Sequence, residues 1–306
     1  MAKVFIGMPA YNGERFIREA IESIINQSYA DWILFISDDA STDNTPTICK
    51  EYAKKDSRIV YYRQEKNLGI FPSFKFLLDR AESEYFMWAA HDDIREKDYL
   101  KVCVEHMEQN TKLGLATTRM AAIDSFGRTL VEELALTRLS GKPGYLNVAR
   151  YVLQPEILGK CNLMYGLFRL DAARATWQAY PQRHVWGQDY MFSLALISRY
   201  EIYVDPQILF KKRLGGISSP RALLDDKKDS VQKLEFKQPK NHMFPFGRFK
   251  GYFMGHMEAL AGTPYRPLAA VLLFIRLPRA FIIHVKERSF KKAFKRIFAK
   301  ILLLWQ

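Results

Sequence analysis

The chain has 306 residues, 48% of them apolar, with a formal net charge of +13, which is enough for one sizeable core and excludes a chain disordered throughout. Its three cysteines, Cys49, Cys103 and Cys161, lie far apart, which excludes a disulfide framework and the close pairs of a zinc site and favours a reducing, cytoplasmic setting. The charge is lopsided: residues 240–306 hold thirteen Lys and Arg against Glu258 and Glu287, so they carry +11 of the +13 and point to an anionic surface.

The N-terminal MAKVFIGMPAYN has one lysine and a short apolar run broken by Gly7 and Pro9. It lacks the long apolar region of a signal peptide and reads as a first strand. KVFIGM (3–8), WILFIS (32–37), RIVYYR (58–63) and EYFMWAA (84–90) all have strand length and composition. Helix-length stretches separate them; in the first, Phe16, Ile17, Ala20, Ile21, Ile24 and Ile25 share a face at helical spacing. This alternation predicts parallel pairing through right-handed crossovers, in an α/β fold with a mostly parallel central sheet and helices on both faces.

Ligands of such sheets bind beyond the carboxyl ends of the strands. Polar residues collect there: Pro9, Ala10, Tyr11 and Asn12 after the first strand, Asp38 and Asp39 after the second, and His91, Asp92 and Asp93 after the fourth. Adjacent carboxylates repel in a partly dry pocket unless a cation or donor lies between them. Mg2+ or Mn2+ takes oxygen ligands and completes its shell with water and substrate phosphates, so a metal and a nucleotide diphosphate would account for Asp92 and Asp93. Asp39, which only accepts hydrogen bonds, would favour uracil or thymine, whose N3 carries a proton. The alternative for Asp38 and Asp39 is a helix cap, for which Ser41 and Asp43 are equally suited.

Beyond Asp93, residues 96–110 carry a helix pattern, and 113–124 with 128–134 form two strands about a tight turn at Gly127. After a less regular stretch over 137–162, LMYGLFRL (163–170) reads as a strand, DYMFSLALISRY (189–200) as a helix opening at Asp189, and Lys211–Ser219 as a mobile loop. At the C-terminus, Phe290, Phe294, Ile297, Phe298, Ile301 and Leu302 form one helical stripe, with Lys291, Lys292, Lys295, Arg296 and Lys300 mostly away from it. That is the pattern of an amphipathic helix lying in a membrane interface; packing on the enzyme or on a second subunit is the alternative. Residues 267–285 are apolar but contain Arg276, Pro278 and Arg279, so they read as a re-entrant or surface element and not as a span. A continuous apolar face disfavours nucleic acid as the partner.

GMPAYNGERFIREAIESIINQSYADWILFISDDASTDNT (7–45) and NLGIFPSFKFLLDRAESEYFMWAAHDD (67–93) resemble the nucleotide-binding half of family 2 glycosyltransferases with the GT-A fold, continuously over about residues 3–110 and more weakly to about 220. The resemblance implies that Pro9, Ala10, Tyr11 and Asp39 hold the base, that Asn67 and Gly69 form a loop beside the donor, and that Asp92 serves the ribose or diphosphate. Asp93, at the last position of the family's Asp-any-Asp motif, would ligate Mn2+ or Mg2+. His91 stands where the family often has an acid, and packing is its expected role. HVWGQDYMF (184–192) resembles the segment that supplies the catalytic base, here Asp189, with Gln188 where an acid often precedes it; helix capping is the alternative for Asp189. In FKKRLGGISS (210–219) the family's histidine position holds Leu214, so Lys211, Lys212 or Arg213 would supply charge to the diphosphate, or the loop is simply solvated. Trp177 and Trp186 are candidate acceptor platforms or core residues.

These readings predict a GT-A domain over 1–220 and a helical, basic, membrane-associating extension over 221–306. The implied function is inverting, metal-dependent transfer of a hexosyl or deoxyhexosyl group from a UDP- or dTDP-sugar to a glycan or lipid-linked acceptor, in surface polysaccharide or lipopolysaccharide synthesis at the inner face of the cell membrane. Two rivals stand: a nucleotidyltransferase, for which GMPAYNGERF is a poor glycine-rich loop, and a degenerate glycan-binding protein, suggested by His91, Gln188 and Leu214. A dehydrogenase is disfavoured because no Gly-any-Gly-any-any-Gly follows the first strand.

Overall fold

Four short runs rich in β-branched and aromatic residues form β1 (Val4–Ala10), β2 (Trp32–Asp38), β3 (Ile59–Arg63) and β4 (Tyr85–Trp88). They are joined by α1 (Ile17–Ile25), α2 (Thr45–Lys55) and α3 (Ile70–Arg80). This is a computed structural model describing residues 2–132, 136–154, 159–180, 187–214 and 249–287. All three ladders among these strands are parallel, in the order β3-β2-β1-β4, as the βαβ alternation predicts. α1 buries Ile17, Ala20, Ile21 and Ile24, the stripe expected from its spacing.

The chain then adds β5 (Ile94–Arg95), α4 (Tyr99–Gln109), β6 (Leu113–Ile123), β7 (Thr129–Glu132), α5 (Tyr145–Leu153), β8 (Leu167–Arg169), α6 (Leu170–Ala179), α7 (Gln188–Ile197) and β9 (Glu201–Arg213). β8 inserts antiparallel between β4 and β6, and β9 runs parallel to β6 and antiparallel to β5. β1 to β4, β6 and β9 therefore run one way and β5, β7 and β8 the other, so the sheet is mostly parallel. Strand β6 is buried along most of its length, and β7 returns beside it through a turn in which Gly127 has φ +79°.

Two expectations are corrected. Lys211–Arg213 are not loop: they finish β9, paired to β6 throughout and to β5 at Lys211, and their acidic partners are Glu96, Asp93 and, on α1, Glu19. Residues 215–219 of the predicted loop lie outside the described residues. Only Leu167–Arg169 of the predicted strand 163–170 is extended, since Lys160–Tyr165 wind as a 3-10 helix. Gly166 lies so close to β6 that an added Cβ would be 2.7 Å from Leu115 Cδ1, which lets the chain straighten there.

α8 (Phe249–Ala259) packs on α7, and α9 (Arg266–Glu287) on α5. Arg199 donates to the carbonyls of Ala259 (2.8 Å) and Ala261 (2.7 Å), capping the end of α8. Arg276 donates to Val152 O at 2.5 Å, tying α9 to α5. Among the described residues no helix is long and apolar enough to cross a membrane. The striped segment 288–305 lies outside the described residues, and so does residue 220, where the domain boundary was expected.

Candidate active site

The exits of β1 and β2 are fastened to each other. Asn12 N donates to Ser41 Oγ (2.9 Å), Gly13 N to Thr45 Oγ1 (2.8 Å) and Glu14 N to Asp43 Oδ2 (3.0 Å), while Thr42 N donates back to Asn12 Oδ1 (2.8 Å). Asn12 (φ 48°) and Ala40 (φ 60°) are left-handed, a conformation Asn tolerates and one that costs Ala about 1–2 kcal/mol. Asp38 helps hold Ala40 there: its Oδ1 accepts Ser41 N at 2.9 Å and its Oδ2 accepts the Tyr61 hydroxyl at 2.7 Å. Neither Asp38 nor Asp39 caps α2: its N-cap residue Asn44 makes no side-chain cap bond, and its first amide, Thr45 N, is accepted by Asp43 Oδ1 at 3.0 Å. Asp39 instead accepts the amides of Leu68 (2.7 Å) and Gly69 (3.0 Å), pulling the loop before α3 over the ends of the first two strands. Gly69 has φ +87°, which the turn into α3 requires.

A cavity of about 310 Å³ results, lined by Pro9, Ala10, Tyr11, Asp39, Asn67, Gly69, Ile70, Ser73, Phe74, Ala90, His91, Asp92 and Tyr165. All seven residues expected to hold a nucleotide are among them. Phe74 and Tyr165 meet edge to face at 6.4 Å, and Tyr11, 37% exposed, stands in the wall. Such an apolar, partly aromatic cleft with a few acids suits a flat heterocycle carrying a polar edge.

Beside the cavity, Asp92 and Asp93 are both buried. Asp93 Oδ2 lies 3.1 Å from Lys212 Nζ, and its Oδ1 accepts Arg213 N at 2.9 Å. Burial works against the Lys212 ammonium, yet Asp93, Tyr165 and Asp92 outweigh it and hold its pKa above the ordinary lysine range. Burial likewise pushes the Asp93 carboxyl up, opposed chiefly by Lys212. His91 Nδ1 lies 3.2 Å from Pro9 O, and its ring so fills the space above the first loop that a Cβ on Gly13 would sit 2.5 Å from His91 Cδ2. It packs against that loop and also lines the cavity.

Asp189 lies in the first turn of α7, whose N-cap position is taken by left-handed Gly187 (φ +83°). It is not the N-cap residue, but its carboxylate does satisfy a first-turn amide of the helix. Its Oδ1 accepts the following amide, Tyr190 N, at 3.0 Å. Burial raises its carboxyl above the ordinary value, offset in part by hydrogen bonds from the Cys161 thiol and the Tyr190 amide. Asp189 is not part of the cavity lining, but the charge of Lys212 acts on it as well as on Asp92 and Asp93.

The family model for glycosyl transferase family 2 matches residues 5–165, more than half of the chain and the whole of the cavity wall. The chain belongs to glycosyl transferase family 2. EpsE of Bacillus subtilis is 36% identical over 126 residues, which are 41% of this chain and 45% of EpsE. TuaG of the same organism, named for teichuronic acid biosynthesis, is 34% identical over 103 residues, 34% of this chain and 41% of TuaG. The chain thus spans less than half the length of these two relatives. Residues 1–349 of S. aureus TarS in complex with UDP superpose with a TM-score of 0.65 at 16% identity, over 93% of this chain and 73% of that one, a likeness of GT-A fold.

Three expectations from the sequence need correction. Trp177 is 7% exposed and packs against Trp88 (5.8 Å) and Phe192 (5.8 Å), so it belongs to the aromatic core and offers no acceptor platform. Lys211 turns away to Glu96 at 2.5 Å. Arg213, 1% exposed, is a staple: it donates to Asp92 O (2.9 Å), Asp124 O (3.0 Å) and Glu19 Oε2 (2.6 Å), and it is not among the residues that line the cavity. Of the three cations only Lys212 points at the acids. Trp186 lies outside the described residues. Sequence reading missed Tyr165, Phe74 and Ser73 in the wall; the apolar face of α3 was a signal for Phe74, but nothing local marks Tyr165.

Proposed function

We propose that this family 2 glycosyltransferase moves a sugar, with inversion, from a uridine or deoxythymidine diphosphate donor to a hydroxyl of a glycan or lipid-linked acceptor in surface polysaccharide or lipopolysaccharide synthesis. The observation that carries the donor half is the single cavity shared by Pro9, Ala10, Tyr11, Asp39, Asn67, Gly69 and Asp92. The base would lie against Tyr11 and Pro9, with Asp39 able to accept a proton-bearing N3 through the lone pairs its two amide bonds leave free. The acceptor hydroxyl attacks the anomeric carbon as the bond to the diphosphate oxygen breaks, and Asp189 takes the hydroxyl proton. The teichuronic acid relative TuaG and the UDP-bound TarS fold support the product class and donor class respectively.

Mn2+ or Mg2+ is the cation the resemblance implies, with Asp93 as ligand. The donor set does not fit it. The Asp93 carboxylate already faces the Lys212 ammonium at 3.1 Å, so a divalent cation on its remaining lone pairs would lie against that positive charge, and Leu214 stands at the histidine position.

Titration calorimetry with UDP and dTDP tests the donor reading. Wild type is expected to bind one of them, and Asp39→Ala, which frees the Leu68 and Gly69 amides, to weaken binding by about tenfold or more, since hydrogen bonds to a charged group contribute roughly 1.5–3 kcal/mol. Equal affinity in the variant would remove Asp39 from the site. Wild type that binds UDP but transfers no sugar from a panel of UDP- and dTDP-sugars would leave the glycan-binding alternative standing.

The proposal keeps a division of labour near residue 220, with the basic segment that follows holding the enzyme on anionic lipid at the inner face of the membrane. Its support is the +11 charge over residues 240–306 combined with the apolar stripe of 290–302. Flotation with phosphatidylserine vesicles is expected for the full chain and lost on removing residues 286–306. Equal flotation of both forms would refute the anchor.

A further inference from the structure

We propose that the Lys212 ammonium is the resident counter-charge for the donor's diphosphate, so that this enzyme binds its nucleotide and transfers sugar without a divalent metal. The inference rests on the nucleotide-sugar reading above and concerns what neutralises the leaving group in it.

The position of Lys212 is fixed from both sides. Lys211 is committed to Glu96 and the buried Arg213 to Glu19 and two carbonyls, which leaves the middle cation of the three as the one whose charged group meets Asp93. Its ammonium sits 3.1 Å from Asp93 Oδ2 and 4.7 Å from the centre of the Tyr165 ring. Tyr165 and Asp92 are both wall residues of the nucleotide cavity. The cation therefore lies directly behind the Tyr165 and Asp92 part of the wall; neither Lys212 nor Asp93 is itself a lining residue, so a diphosphate bound beside Asp92 would meet the ammonium across that wall.

Its chemistry suits the task. A lysine ammonium has three N–H donors; one goes to Asp93, and the others make no hydrogen bond among the described residues. Asp93 would then hold a lysine where the family resemblance has it hold a metal, and the pair answers why two adjacent carboxylates tolerate burial at the end of β4. A diphosphate entering beside Asp92 meets a fixed positive charge that needs no reorganisation at the moment the sugar leaves. A single charge in place of a double one also accounts for the absence of a histidine at Leu214: a lysine already anchored by Asp93 needs no further ligand.

The test uses the full chain and two conditions, EDTA and added Mn2+. UDP affinity by calorimetry and sugar transfer from the UDP-sugar that supports turnover are expected to agree within about twofold between the conditions. Lys212→Met is expected to lower turnover by about 10²–10³-fold in EDTA, the usual effect of deleting one donor to developing negative charge, with Lys212→Arg retaining more than Lys212→Met. Thermal melts of both variants report folding, and the Arg variant keeps the charge opposite Asp93. Wild type whose UDP binding or transfer falls tenfold or more in EDTA and returns with Mn2+ overturns the inference while leaving the nucleotide-sugar reading intact. So does a folded Lys212→Met that turns over like wild type in EDTA. Failure of UDP and dTDP to bind under either condition refutes the nucleotide-sugar reading itself, and the inference with it.

Discussion

Replacing Asp189 by Asn is expected to lower sugar transfer by about 10²–10⁴-fold, the range that a positioned general base contributes, while changing UDP affinity by no more than about twofold. The amide keeps the shape of the side chain, and its oxygen can still accept the Tyr190 N–H now bonded at 3.0 Å. What it cannot do is take a proton from an acceptor hydroxyl. The pH profile gives an independent reading. Burial holds the Asp189 carboxyl above the ordinary carboxylate value, and a base works only when deprotonated. Activity should therefore be complete above that raised pKa and fall as pH drops through it, at a higher pH than an unperturbed aspartate would give. Turnover by Asp189→Asn above a tenth of wild type would remove Asp189 from the chemistry.

The largest loss of stability is expected at Trp88→Ala, which should cost about 3–5 kcal/mol, as for other large aromatic deletions from a core. Trp88 is fully buried at the centre of an aromatic cluster, with Phe86 edge-on at 4.6 Å and Phe74, Phe168 and Phe192 each at 5.6 Å. Its indole N–H also satisfies Phe74 O at 3.0 Å, which the alanine would leave without that donor. The effect should reach the site. Phe74 is part of the cavity wall, and Trp88 ends the strand whose exit carries Asp92. A denaturant titration measures the loss, and UDP calorimetry on the folded fraction should show weaker binding. A destabilisation below about 1 kcal/mol would mean that the cluster relaxes around the hole.

The first half of the fold was legible because its signals are local. β1 to β4 announce themselves by apolar runs, α1 by its spacing, and the parallel arrangement follows from their alternation. The cavity wall was legible for the same reason: residues gather at the carboxyl ends of parallel strands wherever strand order requires it. The second half hid its logic in distant partners. Lys211, Lys212 and Arg213 look like a solvated basic run until Glu96, Asp93 and Glu19 are seen opposite them, and no periodicity reveals such pairings. Trp177 was equally opaque, since a tryptophan on a helix suits a sugar platform as well as a core until its neighbours are known. Tyr165 enters the wall only because Gly166 lets β8 press against β6.

The cationic partner of Asp93 arrives 119 residues later in the chain, as Lys212. At ribosomal rates of about 5–20 residues per second, roughly 6 to 24 s of synthesis separate the two. In that interval the nascent protein can assemble most of its nucleotide pocket while two neighbouring carboxylates remain hydrated and without a counter-ion. Drying that corner of the molecule must wait for the ninth strand to dock. A product truncated anywhere before it would look half folded and be chemically idle.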